Sequence, residues 1–152
     1  MYVDRIEVAF DAGHRLLAYS GKCAAPHGHT YRVEVFVAGN CLDKLGLLID
    51  FGTVKTRVKG WIDQNWDHGF LLNDADSALI EAFQMIPESK IYLFLGINPS
   101  AEAMAKELFI RVHGWFGDIV HGVRVWESSV QYAEYMPEEG PITRMVEGHR
   151  QE

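Results

Sequence analysis

One stretch restricts the possible folds more than any other: HTYRVEVFVAG, residues 29–39. Its side chains alternate. His29, Tyr31, Val33, Val35 and Val37 fall on one face, and Thr30, Arg32 and Glu34 on the other. A period of two is that of a strand with one face in a core. The apolar positions are β-branched or aromatic, as strands favour. A histidine therefore stands at the head of a buried face.

The same period runs through YVDRIEVAFDAGHRL, where Ile6, Val8, Phe10, Ala12 and His14 share a face. The start of this strand is not fixed by the pattern, because Asp4, Arg5, Glu7 and Asp11 do not all fit the opposite face. The period then changes. In FGTVKTRVKGWIDQNW, Phe51, Val54, Val58, Trp61 and Ile62 recur at three and four, which predicts an amphipathic helix. A second helix is predicted after Pro99, with Ser100 as its N-cap and Ala101, Met104, Ala105, Leu108, Val112 and Trp115 as its buried stripe. GVRVWESSVQYAEYM alternates again and reads as one or two final strands, with Ser128 and Ser129 a candidate turn. Residues 74–95 carry no clear period and are ambiguous; the stretch has room for a short helix and an extended segment.

The predicted order is ββααββ. Strands grouped apart from helices predict an α+β fold: a four-stranded antiparallel sheet with two helices on one face. The exposed edges of such a sheet predict a homo-oligomer. A chain of 152 residues, 48% of them apolar, fits one domain, expected over residues 1–136 with a polar tail over 137–152. The formal charge of −7 argues against non-specific binding to nucleic acid or an anionic membrane. No apolar run approaches the length of a membrane span. The opening MYVDRIEVAF is not patterned as a leader, so a cytoplasmic protein with reduced thiols is expected.

The chemistry concentrates in KCAAPHGHTY. If strand geometry extends back to His27, it faces the same side as His29, and His14 ends the apolar face of the preceding strand. Three imidazoles then converge, with a fourth position open, as in a catalytic zinc site. Imidazoles also suit iron, nickel or copper. Each histidine alone would more simply be a loop or core residue; the alignment of three favours a metal. Cys23, four residues before His27, is a candidate base or nucleophile, against the alternative of a small buried apolar residue. Cys41 has no such neighbours and reads as structural. In NWDHGFLLND the adjacent Asp67 and His68 suit a proton relay, or equally a cap and a surface histidine. Glu127 in VRVWESS shares a face with Val123 and Val125; such an acid needs a partner, for instance a ligand with two adjacent N–H donors.

FDAGHRL, CAAPHGHTY, LLIDFGTVK, DHGFLLN, NPSAEAMA and VRVWES together resemble the landmarks of the 6-pyruvoyltetrahydropterin synthase / 6-carboxytetrahydropterin synthase family, in order and over nearly the whole chain. The resemblance implies that His14, His27 and His29 hold zinc. It makes Cys23 the catalytic thiol, Asp67 and His68 the relay, and Glu127 the anchor of a pterin's 2-amino and N3 edge. It implies the tunnelling fold and barrels, commonly hexamers, whose active sites lie between subunits and whose relay pair comes from a neighbouring chain. Three residues separate Cys23 from His27, as in the bacterial carboxy-forming branch; the animal pyruvoyl-forming enzymes have a longer gap. The implied reaction turns 7,8-dihydroneopterin triphosphate into 6-carboxy-5,6,7,8-tetrahydropterin, acetaldehyde and triphosphate, a step towards queuosine. The alternatives are triphosphate elimination to the pyruvoyl product, a non-catalytic zinc or pterin binder, and an unrelated zinc hydrolase. The helix-start motif departs from the family's Pro-Thr-x-Glu-Asn: Ser100 stands for threonine and can still offer a hydroxyl to a pterin, while Ala103 stands for asparagine. Arg15 and Lys22 are the nearest candidates for the triphosphate.

Overall fold

The computed structural model describes residues 1–137. Two long strands, β1 (Tyr2–His14) and β2 (His27–Gly39), form an antiparallel hairpin in continuous register from Tyr2–Gly39 to His14–His27. Helix α1 (Phe51–Asn65) follows, capped by Asp50, whose side chain accepts from Thr53 N–H. Then come β3 (Gly69–Asn73), α2 (Ser77–Gln84), β4 (Ile91–Phe94), α3 (Ala101–Phe116), β5 (Val120–Trp126) and β6 (Tyr132–Tyr135).

The α+β class holds, but the sheet is larger than expected. It is mixed and six-stranded, in the order β4-β3-β1-β2-β5-β6, and there are three α-helices among the described residues. The expected antiparallel four are present as β1, β2, β5 and β6. Beside them, β3 pairs parallel to the last three residues of β1, and β4 pairs parallel to β3. The reason for the miss is physical. Leu71 and Leu72 are both buried, so β3 is covered on both faces and shows no alternation. Helix α2 buries no residue completely, so its sequence carries no clean stripe.

One apolar cluster joins the sheet to α1 and α3. Ile6, Val8 and Phe10 of β1 and Tyr31, Val33, Val35 and Val37 of β2 face Val54, Val58 and Ile62 of α1 and Met104, Leu108 and Val112 of α3. The alternation in the two strands is thus the alternation of burial, and Ser100 caps α3 through Ala103 N–H at 3.3 Å. The expected tail falls, apart from Pro137, outside the described residues. On the opposite sheet face Glu34 is only 1% exposed, covered by Arg5, Arg124 and the Trp126 indole, all of which donate to its carboxylate.

Candidate active site

The hairpin brings its two ends together, because His14 pairs with His27 in register and His29 lies two residues on. The glycine of HGH is what lets the strands close here: a Cβ at Gly28 would sit 3.1 Å from the Ala12 carbonyl oxygen. His14, His27 and His29 offer ring nitrogens that all lie within 4.8 Å of one another.

The tautomers can be read from the partners. His14 Nδ1 is 2.7 Å from the Pro99 carbonyl, and His27 Nδ1 is 2.7 Å from the Ala25 carbonyl. A carbonyl only accepts, so each Nδ1 carries the proton and each Nε2 presents a lone pair. Those two Nε2 atoms face each other at 3.1 Å. His29 Nε2 is buried with no partner. Two opposed lone pairs and an orphaned third are unfavourable without a cation between them, and carbonyl-anchored histidines are what metal ligands usually look like. The residues present fit a metal ion with imidazole preference. Burial, reinforced by the two neighbouring rings against the pull of Pro99, lowers His14 to about 4, so it is neutral at pH 7. Burial also lowers His29, with the Glu127 charge opposing.

Around the trio the other expected residues fall into two cavities. One, of about 530 Å³, is lined by His14, Cys23, Ser100, Glu102, Glu127 and Gln131 among others. Cys23 reaches it on a short 3-10 turn, Lys22–Ala24, tied back to β1's exit by Leu16 N–H donating to the Cys23 carbonyl at 2.9 Å. Glu127 lies just past β5; its side chain is 29% exposed and its Oε1 is 3.8 Å from His14 Nε2. The second cavity is lined by Asp11, His27, His29, Thr30, His68 and Phe70. His68 Nδ1 is 2.8 Å from Asp67 Oδ2, so the adjacent pair does meet. The other Asp67 oxygen accepts Asp11 N–H at 2.9 Å. Partial burial raises the Asp67 carboxyl, but the Asp11 N–H and the His68 ring outweigh it and hold it below the usual range. Cys23 and His68 therefore open into different cavities of one chain.

Of the two candidates for the triphosphate, Arg15 is paired through Nε and Nη2 with the buried Asp76. Lys22 is exposed on the 3-10 turn. Among the described residues no lysine or arginine lines the thiol cavity. Sequence reasoning also missed Asp11, Asp76 and Asn98, which hold the site through backbone and side-chain bonds. The Asn98-Pro99 pair was a turn signal; nothing in the sequence marked the other two.

A family model described as 6-pyruvoyl tetrahydropterin synthase matches residues 5–138. A 6-carboxy-5,6,7,8-tetrahydropterin synthase from Rickettsia felis is 42% identical over 101 residues, covering 66% of this chain and 72% of the relative. A probable 6-carboxy-5,6,7,8-tetrahydropterin synthase from Halobacterium salinarum is 36% identical over 118 residues, 78% of this chain and 74% of the relative. In structure, the 6-pyruvoyl tetrahydropterin synthase of Caenorhabditis elegans is similar with a TM-score of 0.63 at 21% identity, covering 91% of this chain and 98% of that one. The chain belongs to the 6-pyruvoyl tetrahydropterin synthase family and is an enzyme of the tetrahydropterin synthase type.

Proposed function

We propose that the protein is a zinc-dependent lyase. It converts 7,8-dihydroneopterin triphosphate and water to 6-carboxy-5,6,7,8-tetrahydropterin, acetaldehyde and triphosphate. The observation that carries this reading is the trio itself: two carbonyl-anchored imidazoles with facing lone pairs and a third whose buried Nε2 has no partner, beside a thiol and a carboxylate. The names of the carboxy-forming relatives and the short gap between Cys23 and His27 favour the carboxy product.

His14, His27 and His29 would hold the metal. When bound, zinc supplies a Lewis acid that polarises the adjacent hydroxyls of the substrate side chain. Glu127 receives the two N–H groups of the pterin's amino edge, which fixes the ring in the thiol cavity. Ser100 accepts Ala103 N–H through its oxygen and keeps its own O–H free to donate to the pterin. Cys23 takes and returns the proton moved between the side-chain carbon and the ring. His68, oriented by Asp67, serves as the general acid and base in carbon–carbon cleavage. Since it opens away from Cys23, it serves the thiol cavity of a neighbouring copy in a homo-oligomer, with a hexamer expected.

The test is a product analysis. Zinc-loaded protein is incubated with 7,8-dihydroneopterin triphosphate and the mixture is read by mass spectrometry. The expected products are 6-carboxytetrahydropterin and acetaldehyde. Finding 6-pyruvoyltetrahydropterin alone would keep the site and overturn the assignment of the product; finding neither would overturn the substrate.

A further inference from the structure

The segment between Asn73 and Pro99 holds α2 and β4, and no step of the chemistry uses it. It nevertheless touches both halves of the site. We infer that it is a brace, in which Asp76 and Asn98 position the metal ligand His14 and Lys90 positions the Asp67–His68 pair. The metal end of this inference rests on the reading of the trio as a metal site.

At the metal end, contacts at His14 itself, Arg15 and Leu17 hold this part of the chain. Arg15, the neighbour of His14, is clasped through Nε and Nη2 by Asp76, which is itself buried and caps α2 through Leu79 N–H. The Arg15 hydrogen bonds hold the Asp76 carboxyl below its usual range against the opposing effect of burial, so the clasp is ionic. Two residues further on, the Asn98 side chain takes Leu17 at both ends: its Oδ1 accepts Leu17 N–H at 2.9 Å and its Nδ2 donates to the Leu17 carbonyl at 3.0 Å. Asn73 Nδ2 donates to the same Oδ1 at 3.3 Å, closing the segment's start onto its end. Asn98 therefore fixes the chain that enters Pro99, and the Pro99 carbonyl sets the tautomer of His14. The next residue, Ser100, begins the cavity wall.

At the relay end, Lys90 immediately precedes β4. Its ammonium donates to the Asp67 carbonyl at 2.6 Å and to the Asp63 carbonyl at 2.8 Å, in the last turn of α1. A cation there also suits the helix C-terminus. The Lys90 carbonyl accepts Phe70 N–H at 2.9 Å. Between these two anchors His68 is held at φ 55, a left-handed backbone that a non-glycine residue seldom adopts. Lys90 on one side and the Asp11 carbonyl, which accepts His68 N–H at 2.7 Å, on the other keep it there. None of Asp76, Lys90 and Asn98 lines the thiol cavity, so each acts through another residue.

The two ends predict separable effects. Zinc affinity is measured by competition with a chromophoric chelator, on protein that circular dichroism shows folded. Asn98→Ala is expected to weaken zinc about 10- to 100-fold, the usual effect of losing an outer support of a ligand. Should that variant not fold, Asn98→Asp keeps the acceptor for Leu17 N–H, loses the donor, and is expected to weaken zinc by a smaller factor. Lys90→Met keeps the strand ladder; it is expected to leave zinc affinity unchanged and lower kcat on 7,8-dihydroneopterin triphosphate about tenfold or more, with KM unchanged. Val112→Ala, in the core of α3, should lower the melting temperature and move neither quantity. Wild-type protein that binds zinc while both Asn98 variants bind it equally well overturns the metal end of the brace and leaves the trio intact. Wild-type protein that binds no zinc overturns the trio and the metal end together. Unchanged kcat in Lys90→Met overturns the relay end.

Discussion

His14 shows how much one residue's surroundings decide. It is 3% exposed, and its lowered pKa has a sign that can be worked out. In the unfolded chain an imidazole titrates near 6.5, and in the folded metal-free protein at about 4. Between these values the unfolded state binds more protons, so stability falls as pH falls through that window. The loss attributable to His14 is on the order of 3 kcal/mol, complete below the folded pKa. Urea titrations of metal-free protein at pH 7 and pH 4.5 should show it, and His14→Gln should flatten the difference. Cys23→Ala is expected to retain zinc and lose turnover; full turnover would make the thiol a packing residue. Glu127→Gln keeps the shape but meets the pterin edge with one acceptor and one donor. It should raise the Kd for a pterin, read by fluorescence quenching, by about 1–3 kcal/mol. At this scale the sequence was largely legible. His14, His27 and His29 converge as their strand periods required. The pairing of Arg15 with Asp76 was not foreseen, because the two lie 61 positions apart and no local pattern links them.

At the scale of elements, what could be read depended on how many faces each one buries. Strands β1 and β2 bury one face and alternate, so their inward residues were named correctly. Helix α3 shows its cap and stripe, although Phe109, not anticipated, is also buried. Strand β3 is covered on both sides and short, β4 is an edge of four residues, and α2 lies on the surface. These three carry no period: β3 was missed, while the short helix and extended segment expected within 74–95 are present as α2 and β4, whose bounds the pattern did not give. The cap can be tested directly. Ser100→Ala removes the acceptor for Ala103 N–H and should cost about 1 kcal/mol of stability in denaturant melts, while Ser100→Thr should restore it. If Ser100 also donates to the pterin, the alanine variant binds pterin more weakly as well, and that second loss is absent when the residue only caps.

At the scale of the whole molecule, β3 shields just the last three residues of β1, from Ala12 to His14, so among the described residues most of that strand keeps an unpaired edge. Strand β6 ends the sheet on the other side with Tyr132 exposed. Open edges of this kind present unpaired N–H and C=O groups on which another chain can pair. Sedimentation velocity is expected to show a closed homo-oligomer, and a monomer at micromolar concentration would contradict it. None of this size was legible in the sequence beyond the presence of edges, because a partner's position leaves no local periodicity. The separation of Cys23 and His68 into different cavities has a consequence that a geneticist would notice first. Cys23→Ala and His68→Ala would each be a null allele. Yet co-expressed, they would complement each other, because some neighbouring pairs would join an intact thiol to an intact imidazole. With random assembly about a quarter of the sites would be whole again.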